Sequence, residues 1–424
     1  MIESEDQPRE NKADLAASMK SAVGDLSRAL ELLRETFERD PASLRKIAYA
    51  FNAADCFREG LSFAKYGLRI DPNDAQLHHL AARALSITGN VEACRFHSEQ
   101  AARLMPSSPL LQYHYANTLL RLGDYEEGWK RHRWYYAMPG KEKELVFPPF
   151  REWRGEPVAG TSFLLVGEQG RGDEIQFLRF AHWLERHGAT VDVLVSAEVA
   201  PLAASVTAVR HVYISIPPGP YTYWCHMFKV PECMRLDLAM LPVATHYLRA
   251  PLVKVNDWRR RIQSFSTKGA HARSRRIGFV WSGSPQHGLD RFRSISIETL
   301  RPLFSLQGSV WFSLQKGREE NGADKIARRA EVYSLGSLIH DFSDTLAAMY
   351  SMDLIITVDT SVAHLAGAAG IPVWVMIPAC SDWRWLSRRT DSPWYPTMRL
   401  FRQRELGNWH CVIDEVRDAL VKWR

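Results

Sequence analysis

The chain has 424 residues, 46% hydrophobic and 24% charged, an ordinary globular balance with length for two or three domains. Its net charge of +6 is mild and its Lys and Arg residues are spread along the chain, which suits an anionic ligand and argues against a nucleic-acid partner. No run approaches the ~18 apolar residues of a membrane span. The opening Met1-Ile2-Glu3-Ser4-Glu5-Asp6 has neither the basic nor the apolar part of a secretory signal, and none of the six cysteines forms a Cys-x-x-Cys pair. A cytoplasmic protein with reduced thiols and no transmembrane segment is expected.

Repeats come first along the chain. Pro72 and Pro106, Gly89 and Gly123, Ala82 and Ala116, and Cys94 and Gly128 each lie 34 residues apart. That is the tetratricopeptide period, with small residues where two helices of a hairpin approach and proline where one helix gives way to the next. Asp71–Gly89 and Ser107–Gly123 read as first helices, with second helices after each glycine. An earlier, degenerate unit opens at Pro41 and ends near Pro72, and residues 14–39 read as one more helix or a cap. The pattern stops near Pro139-Gly140.

After Trp153 short apolar runs alternate with helical patterns. Candidate strands are Ser162–Val166, Val191–Val195, His211–Ile214, Ile277–Trp281, Val310–Leu314, Leu354–Val358 and Val373–Ile377. Such alternation argues for doubly wound parallel sheets. A break near Thr245–Val253, followed by a polar helix at Asn256–Ser264 and a basic loop to Arg276, separates two α/β domains. Asn408–Arg424 reads as a closing amphipathic helix with Val412, Val416, Leu420 and Val421 on one face.

Ligands of parallel sheets bind beyond the carboxyl ends of strands, where loops lead into helices. The first such loop is Gly167-Glu168-Gln169-Gly170-Arg171-Gly172-Asp173, with a helix expected over Asp173–His187 and Gly188 as its C-cap. Gly170 and Gly172 let backbone come close to a ligand, and Asp173 sits at the helix start, either as a plain cap or facing a cleft. The third glycine of the dinucleotide fingerprint is missing. The second loop, Trp281-Ser282-Gly283-Ser284, leads to Arg291 and Arg293, whose guanidinium forks match phosphate oxygens. Gln315-Lys316-Gly317 adds a cation at the same sheet edge. The third loop is Asp359-Thr360-Ser361, opening a helix at Val362–Ala369. Its hydroxyls, amides and dipole make an anion site, with His364 in the first turn and Asp359 able to accept hydrogen bonds from sugar hydroxyls. The tryptophan-rich stretch Trp383–Tyr395 reads as core or a domain seam rather than a stacking platform.

Val358-Asp359-Thr360-Ser361-Val362-Ala363-His364-Leu365-Ala366-Gly367-Ala368 resembles the donor-site motif of the bacterial heptosyltransferase family, and Gly172-Asp173 is similar to that family's Gly-Asp motif. The repeat array joined to such a domain is similar in architecture to O-linked N-acetylglucosamine transferases and bacterial relatives that glycosylate proteins. Asp382-Trp383-Arg384-Trp385 to Asp391-Ser392-Pro393-Trp394-Tyr395-Pro396 looks like the tail of repeat-bearing bacterial proteins with this domain. The resemblance spans roughly residues 70–405. It implies an α + α/β chain: helical-hairpin (TPR) repeats over 1–140, then two Rossmann-like domains of a GT-B glycosyltransferase. The acceptor domain is expected over 150–250 and the nucleotide-sugar domain over 255–424.

The resemblance further implies transfer of a sugar from a nucleotide-diphosphate donor to a protein or cell-surface glycan held by the repeats. Asp173 becomes the candidate general base. Asp359, Thr360, Ser361 and His364 become donor contacts, and Arg291, Arg293 and Lys316 phosphate contacts, with Ser282, Gly283 and Gln315 on the donor loops. No Asp-x-Asp motif follows a strand, and Cys380 and Cys411 lack the paired spacing that would match a cysteine-held iron known in part of the family. No metal and no cofactor besides the donor substrate are expected. The competing expectation is a catalytically inactive repeat scaffold with a degenerate transferase domain.

Overall fold

Asp40 caps α1 (Pro41–Ala53), its carboxylate accepting from the amides of Ala42 and Ser43, with Pro41 at the first helical position. The chain returns in α2 (Phe57–Ile70). Leu44, Ala48, Phe63, Ala64 and Leu77 form a small core there. Gly60 allows the close crossing of α1 and α2, since a Cβ would lie 2.3 Å from Asn52 Oδ1. Then follow α3 (Ala75–Ile87), α4 (Val91–Leu104), α5 (Pro109–Leu122) and α6 (Tyr125–His132). The hairpins keep the spacing read from the sequence, with tighter ends. Gly123 stops α5 with φ 90°, its N–H donating to the carbonyls of Leu119 and Leu120. At Gly128 a Cβ would sit 2.7 Å from Leu120, so the small residue is required where α6 crosses α5.

In this computed structural model the described residues are 40–241, 246–266, 274–327 and 331–423. The helix or cap expected over 14–39 and most of the basic loop before Arg276 lie outside them. The chain divides after Ala84, inside α3, into two compact units. The helices from α4 onward thus belong to the unit that carries both sheets.

The first sheet has the order β3-β2-β1-β4, with β1 Ser162–Val166, β2 Thr190–Leu194, β3 Val209–Tyr213 and β4 Tyr223–His226. The second has the order β10-β9-β8-β5-β6-β7, with β5 Arg275–Val280, β6 Ser309–Ser313, β7 Val332–Ser334, β8 Leu354–Val358, β9 Val373–Ile377 and β10 Met398–Arg402. Every pairing is parallel. β1, β8 and β9 keep their expected ends, and the others shift by one or two residues. Ile214, expected inside a strand, is 66% exposed beyond β3. Three strands were not expected. β4 is four residues, two of them aromatic and one His, β7 is three, and β10 carries two arginines. None is an apolar run long enough to announce itself.

Two helices also differ from expectation. The helix expected over Asp173–His187 begins at Arg171 and is split into α7 (Arg171–Phe177) and α8 (Phe180–Arg186). The break has a cause. The Tyr247 hydroxyl donates to the Ile175 and Gln176 carbonyls, and Arg179 Nε donates to Gln176. Those carbonyls would otherwise serve the amides of Arg179 and Phe180. The linker helix α9 (Leu252–Ser266) starts four residues early, and α10 (Phe342–Met349) and α11 (Ser361–Ala368) follow. In the last helix, α12 (Trp409–Lys422), the buried residues are Trp409, Val412, Ile413, Val416 and Leu420. Val421 is 68% exposed, being about 100° round the helix from Leu420. Among the described residues no helix is long and apolar enough to cross a membrane.

Candidate functional site

The two sheets turn their carboxyl ends toward one another, and α7 and α11 meet where their N-termini start. A Cβ on Gly172 would lie 3.1 Å from His364 Cδ2 and 3.2 Å from Ser361 Cα. Gly172 thus lies where α7 packs closely on α11. Gly170 caps α7, and its N–H donates to Asp173 Oδ2 at 2.8 Å, so Asp173 is the third helical residue and not the cap. Its other oxygen, Oδ1, accepts from Arg384 Nη2 at 2.5 Å. Neighbouring charges are directed elsewhere. Arg171 pairs with Glu198 at the surface, and Glu174 turns inward to the Ser196 amide and hydroxyl.

Arg384 is the centre of the site and was not singled out in the sequence. It stands on the helical turn Trp383–Trp385 beyond β9. Nη1 donates to Asp382 Oδ1 at 2.9 Å and Nε to Gln176 Oε1 at 2.6 Å. The guanidinium lies 4.2 Å from the centre of the Trp383 ring and 5.4 Å from that of Phe228. Burial works against its charge, but Asp382 and Asp173 more than offset this, and its pKa is raised. The available signal was Asp-x-Arg just past a strand end.

On the second sheet, Thr360 caps α11, its hydroxyl accepting from the Val362 amide at 3.3 Å. Asp359, at the end of β8, is pushed up to about 6 by burial and by the Asp382 carboxylate, against Arg293, Trp385 and Arg384. Burial also raises Asp173, against Arg384 and the Gly170 amide. His364 is stacked on Trp385 with ring centres 5.2 Å apart, and its Nδ1 lies 3.0 Å from the Tyr395 hydroxyl. Burial, with Arg384, holds its pKa well below the ordinary value, which favours the neutral imidazole.

The glycine loop after β5 is shaped by an ion pair. Arg293 Nε donates to Asp290 Oδ1 at 3.1 Å, and a Cβ on Gly283 would lie 2.6 Å from Arg293 Nη2. Ser294 accepts from the Gly283 amide, and the Ser282 hydroxyl donates to Ser294. His287 stands on the same loop. Burial and Arg293 lower its pKa, against Asp382, Asp290 and Asp173, so these groups share one field. Three further residues of the donor loops have partners of their own. The amide of Gln315 accepts from the Trp281 and Ser282 amides and donates to the Ser282 and Lys316 carbonyls. Lys316 reaches the Gly336 carbonyl and Glu320, each at 2.9 Å. Arg291 is exposed, stacked 4.5 Å from the centre of the Phe292 ring.

A second buried carboxyl lies on the β1 loop. Glu168 Oε1 accepts from the Tyr136 hydroxyl at 2.7 Å and the Phe228 amide at 3.0 Å. Burial pushes this group up to about 7. The tryptophan-rich stretch is a seam, as expected. The Trp394 indole donates to the Tyr125 hydroxyl at 3.0 Å, and Trp383 meets Trp129 of α6 edge-on with ring centres 5.0 Å apart. Through these contacts α6 packs against the turn that carries Arg384. Among the described residues no group of three or more His, Cys, Asp or Glu could hold a metal ion.

No family model matches the chain. A curated relative, Protein FlbA of Caulobacter vibrioides, is 26% identical over 386 residues. The match covers 84% of this chain and 63% of that protein, so the chain spans less than two thirds of its relative. Among solved structures, a glycosyl transferase of family 9 from Veillonella parvula is 11% identical with a TM-score of 0.45, covering 64% of this chain and 92% of that one. An ADP-heptose lipopolysaccharide heptosyltransferase II of E. coli is 13% identical with a TM-score of 0.42, covering 62% and 99%. An O-GlcNAc transferase mutant from Thermobaculum terrenum is 13% identical with a TM-score of 0.30, covering 93% and 88%.

Proposed function

We propose that this protein is a glycosyltransferase that moves a sugar from a nucleotide-diphosphate donor to a hydroxyl of a protein or cell-surface glycan. The observation that carries the reading is the meeting of α7 and α11. It sets a carboxylate raised by burial, Asp173, near the capped N-terminus of α11, with Arg384 paired to it and Arg293 in the same field. Departure of a diphosphate from the donor sugar develops negative charge, which helix-end amides and fixed guanidiniums stabilise. A carboxylate across the cleft takes the proton of the attacking hydroxyl. In this reading Asp173 is the general base, Asp359 accepts from donor hydroxyls, and Thr360 and Ser361 present the anion-binding helix end. The tetratricopeptide-like hairpins hold the acceptor, which is supported by the packing of α6 against the turn that carries Arg384.

The ion pair of Asp173 with Arg384 also favours a second reading, a scaffold whose base is neutralised and idle. Turnover separates the two. Purified protein is screened with nucleotide-diphosphate sugars for release of nucleoside diphosphate. A transferase releases it at a rate that falls at least about a hundredfold in Asp173→Asn, the scale of a lost general base. A donor that stabilises the protein yet is never consumed leaves the scaffold.

A further inference from the structure

Among the described residues, the two guanidiniums placed above at the cleft, Arg384 and Arg293, are each engaged by a carboxylate. Arg384 donates to Asp173, Asp382 and Gln176, using three of the five N–H groups of a guanidinium, and Arg293 is paired with Asp290. Asp359 adds a further carboxylate beside Asp382. Asp173, Asp290, Asp359 and Asp382 thus crowd these two guanidiniums, and a diphosphate entering the cleft competes with carboxylates for them. Two N–H groups of Arg384 remain for it, and fuller engagement takes the guanidinium from the carboxylates that hold it. Arg384 is placed for that exchange. Its guanidinium lies against Trp383 and near Phe228 and its Nε is held by Gln176, while its two terminal nitrogens carry the exchangeable contacts. Asp382 and Asp173 keep 34% and 22% of their side-chain surface exposed, so both can swing toward solvent.

We propose that Arg384 is a positioning residue that holds Asp173 in the empty cleft and turns its terminal N–H groups to the diphosphate of a bound donor, releasing Asp173 to accept the acceptor's proton. This rests on the glycosyl-transfer reading for its last step only. The exchange makes base strength follow donor occupancy. Asp173 binds a proton more tightly once the neighbouring cation is shared with phosphate oxygens.

The test uses inorganic pyrophosphate as probe and the full chain, with affinity measured calorimetrically at fixed salt. Arg384→Gln is expected to weaken pyrophosphate binding about tenfold or more, because a charge-assisted fork is lost. Asp173→Asn and Asp382→Asn are each expected to tighten it severalfold, by freeing Arg384 and removing a like charge. A merely structural clamp predicts no more gain than Asp359→Asn gives, which removes a like charge without freeing Arg384. The proposal is overturned if Asp173→Asn binds pyrophosphate no more tightly than Asp359→Asn, or if a folded Arg384→Gln binds it as well as the unmodified protein. The asparagine variants keep a side chain of the same shape, so the test survives a misfolded Arg384→Gln. Tightened pyrophosphate binding without turnover of any nucleotide sugar would strike the glycosyl-transfer reading and leave the exchange of Arg384 standing.

Discussion

At the residue scale the site is a balance between burial and pairing. Asp359 is the clearest case, because burial and Asp382 outweigh Arg293, Trp385 and Arg384 and set it at about 6. A carboxyl whose folded pKa lies above its unfolded value near 3.9 favours the native state below that value and loses the advantage as pH rises through about 6. Asp359→Asn should therefore stabilise the protein at pH 8 relative to pH 4, by on the order of 1–3 kcal/mol. Paired urea titrations of the variant and the parent at both pH values measure it, and the difference cancels the separate titration of Glu168. Equal shifts at both pH values would show that Asp359 ionises as it does in the unfolded chain. The same scale separates functional polar groups from structural ones. Gln315 was a candidate donor contact, but its amide joins two strand-end loops. Gln315→Ala should cost about 1–3 kcal/mol, because buried backbone groups lose their partners. A shift of the thermal midpoint without a change in pyrophosphate affinity is the expected outcome.

At the element scale the decisive contact is that of α7 with α11. Gly172 lies against the backbone of Ser361 and the ring of His364, so a Cβ here requires both to give by a few tenths of an ångström. Gly172→Ala should destabilise the protein by about 1–2 kcal/mol through overpacking, and should lower turnover more than its stability loss explains. Denaturation midpoints and turnover on the same preparation test this. Full activity in the variant would mean that the two helix ends need not be so close. The division of α7 from α8 belongs to the same scale. Diversion of the Ile175 and Gln176 carbonyls to Tyr247 and Arg179 ends α7 early and leaves the Gln176 side chain facing Arg384.

At the scale of the whole molecule, the helices from α4 onward are part of the unit that holds the cleft. Trp129 of α6 is 1% exposed and lies edge-on to Trp383, the residue stacked on Arg384. Trp129→Ala should cost about 3–5 kcal/mol as a large-to-small core change. It should also loosen the Arg384 turn and so weaken pyrophosphate binding at temperatures where the fold persists. Affinity unchanged in a folded variant would separate the hairpins from the site.

The sequence by itself determined the elements that repeat or alternate. The 34-residue spacing, the strands β1, β8 and β9 and the strand-end loops were legible because each follows from local hydrophobic pattern and turn chemistry. Tertiary structure alone decided which strand-end groups meet. Arg384, Gln176, Asp382 and Asp173 lie up to 211 residues apart in pairing, and nothing in local propensity marks an arginine that long-range packing will bury beside aromatic rings. The same physics gave Gln315, Lys316 and His364 partners within the fold, because buried polar groups take the nearest partners the fold presents. Composition and spacing placed the loops at the carboxyl ends of the sheets. Only the approach of the two sheets turned those loops into a charged cleft.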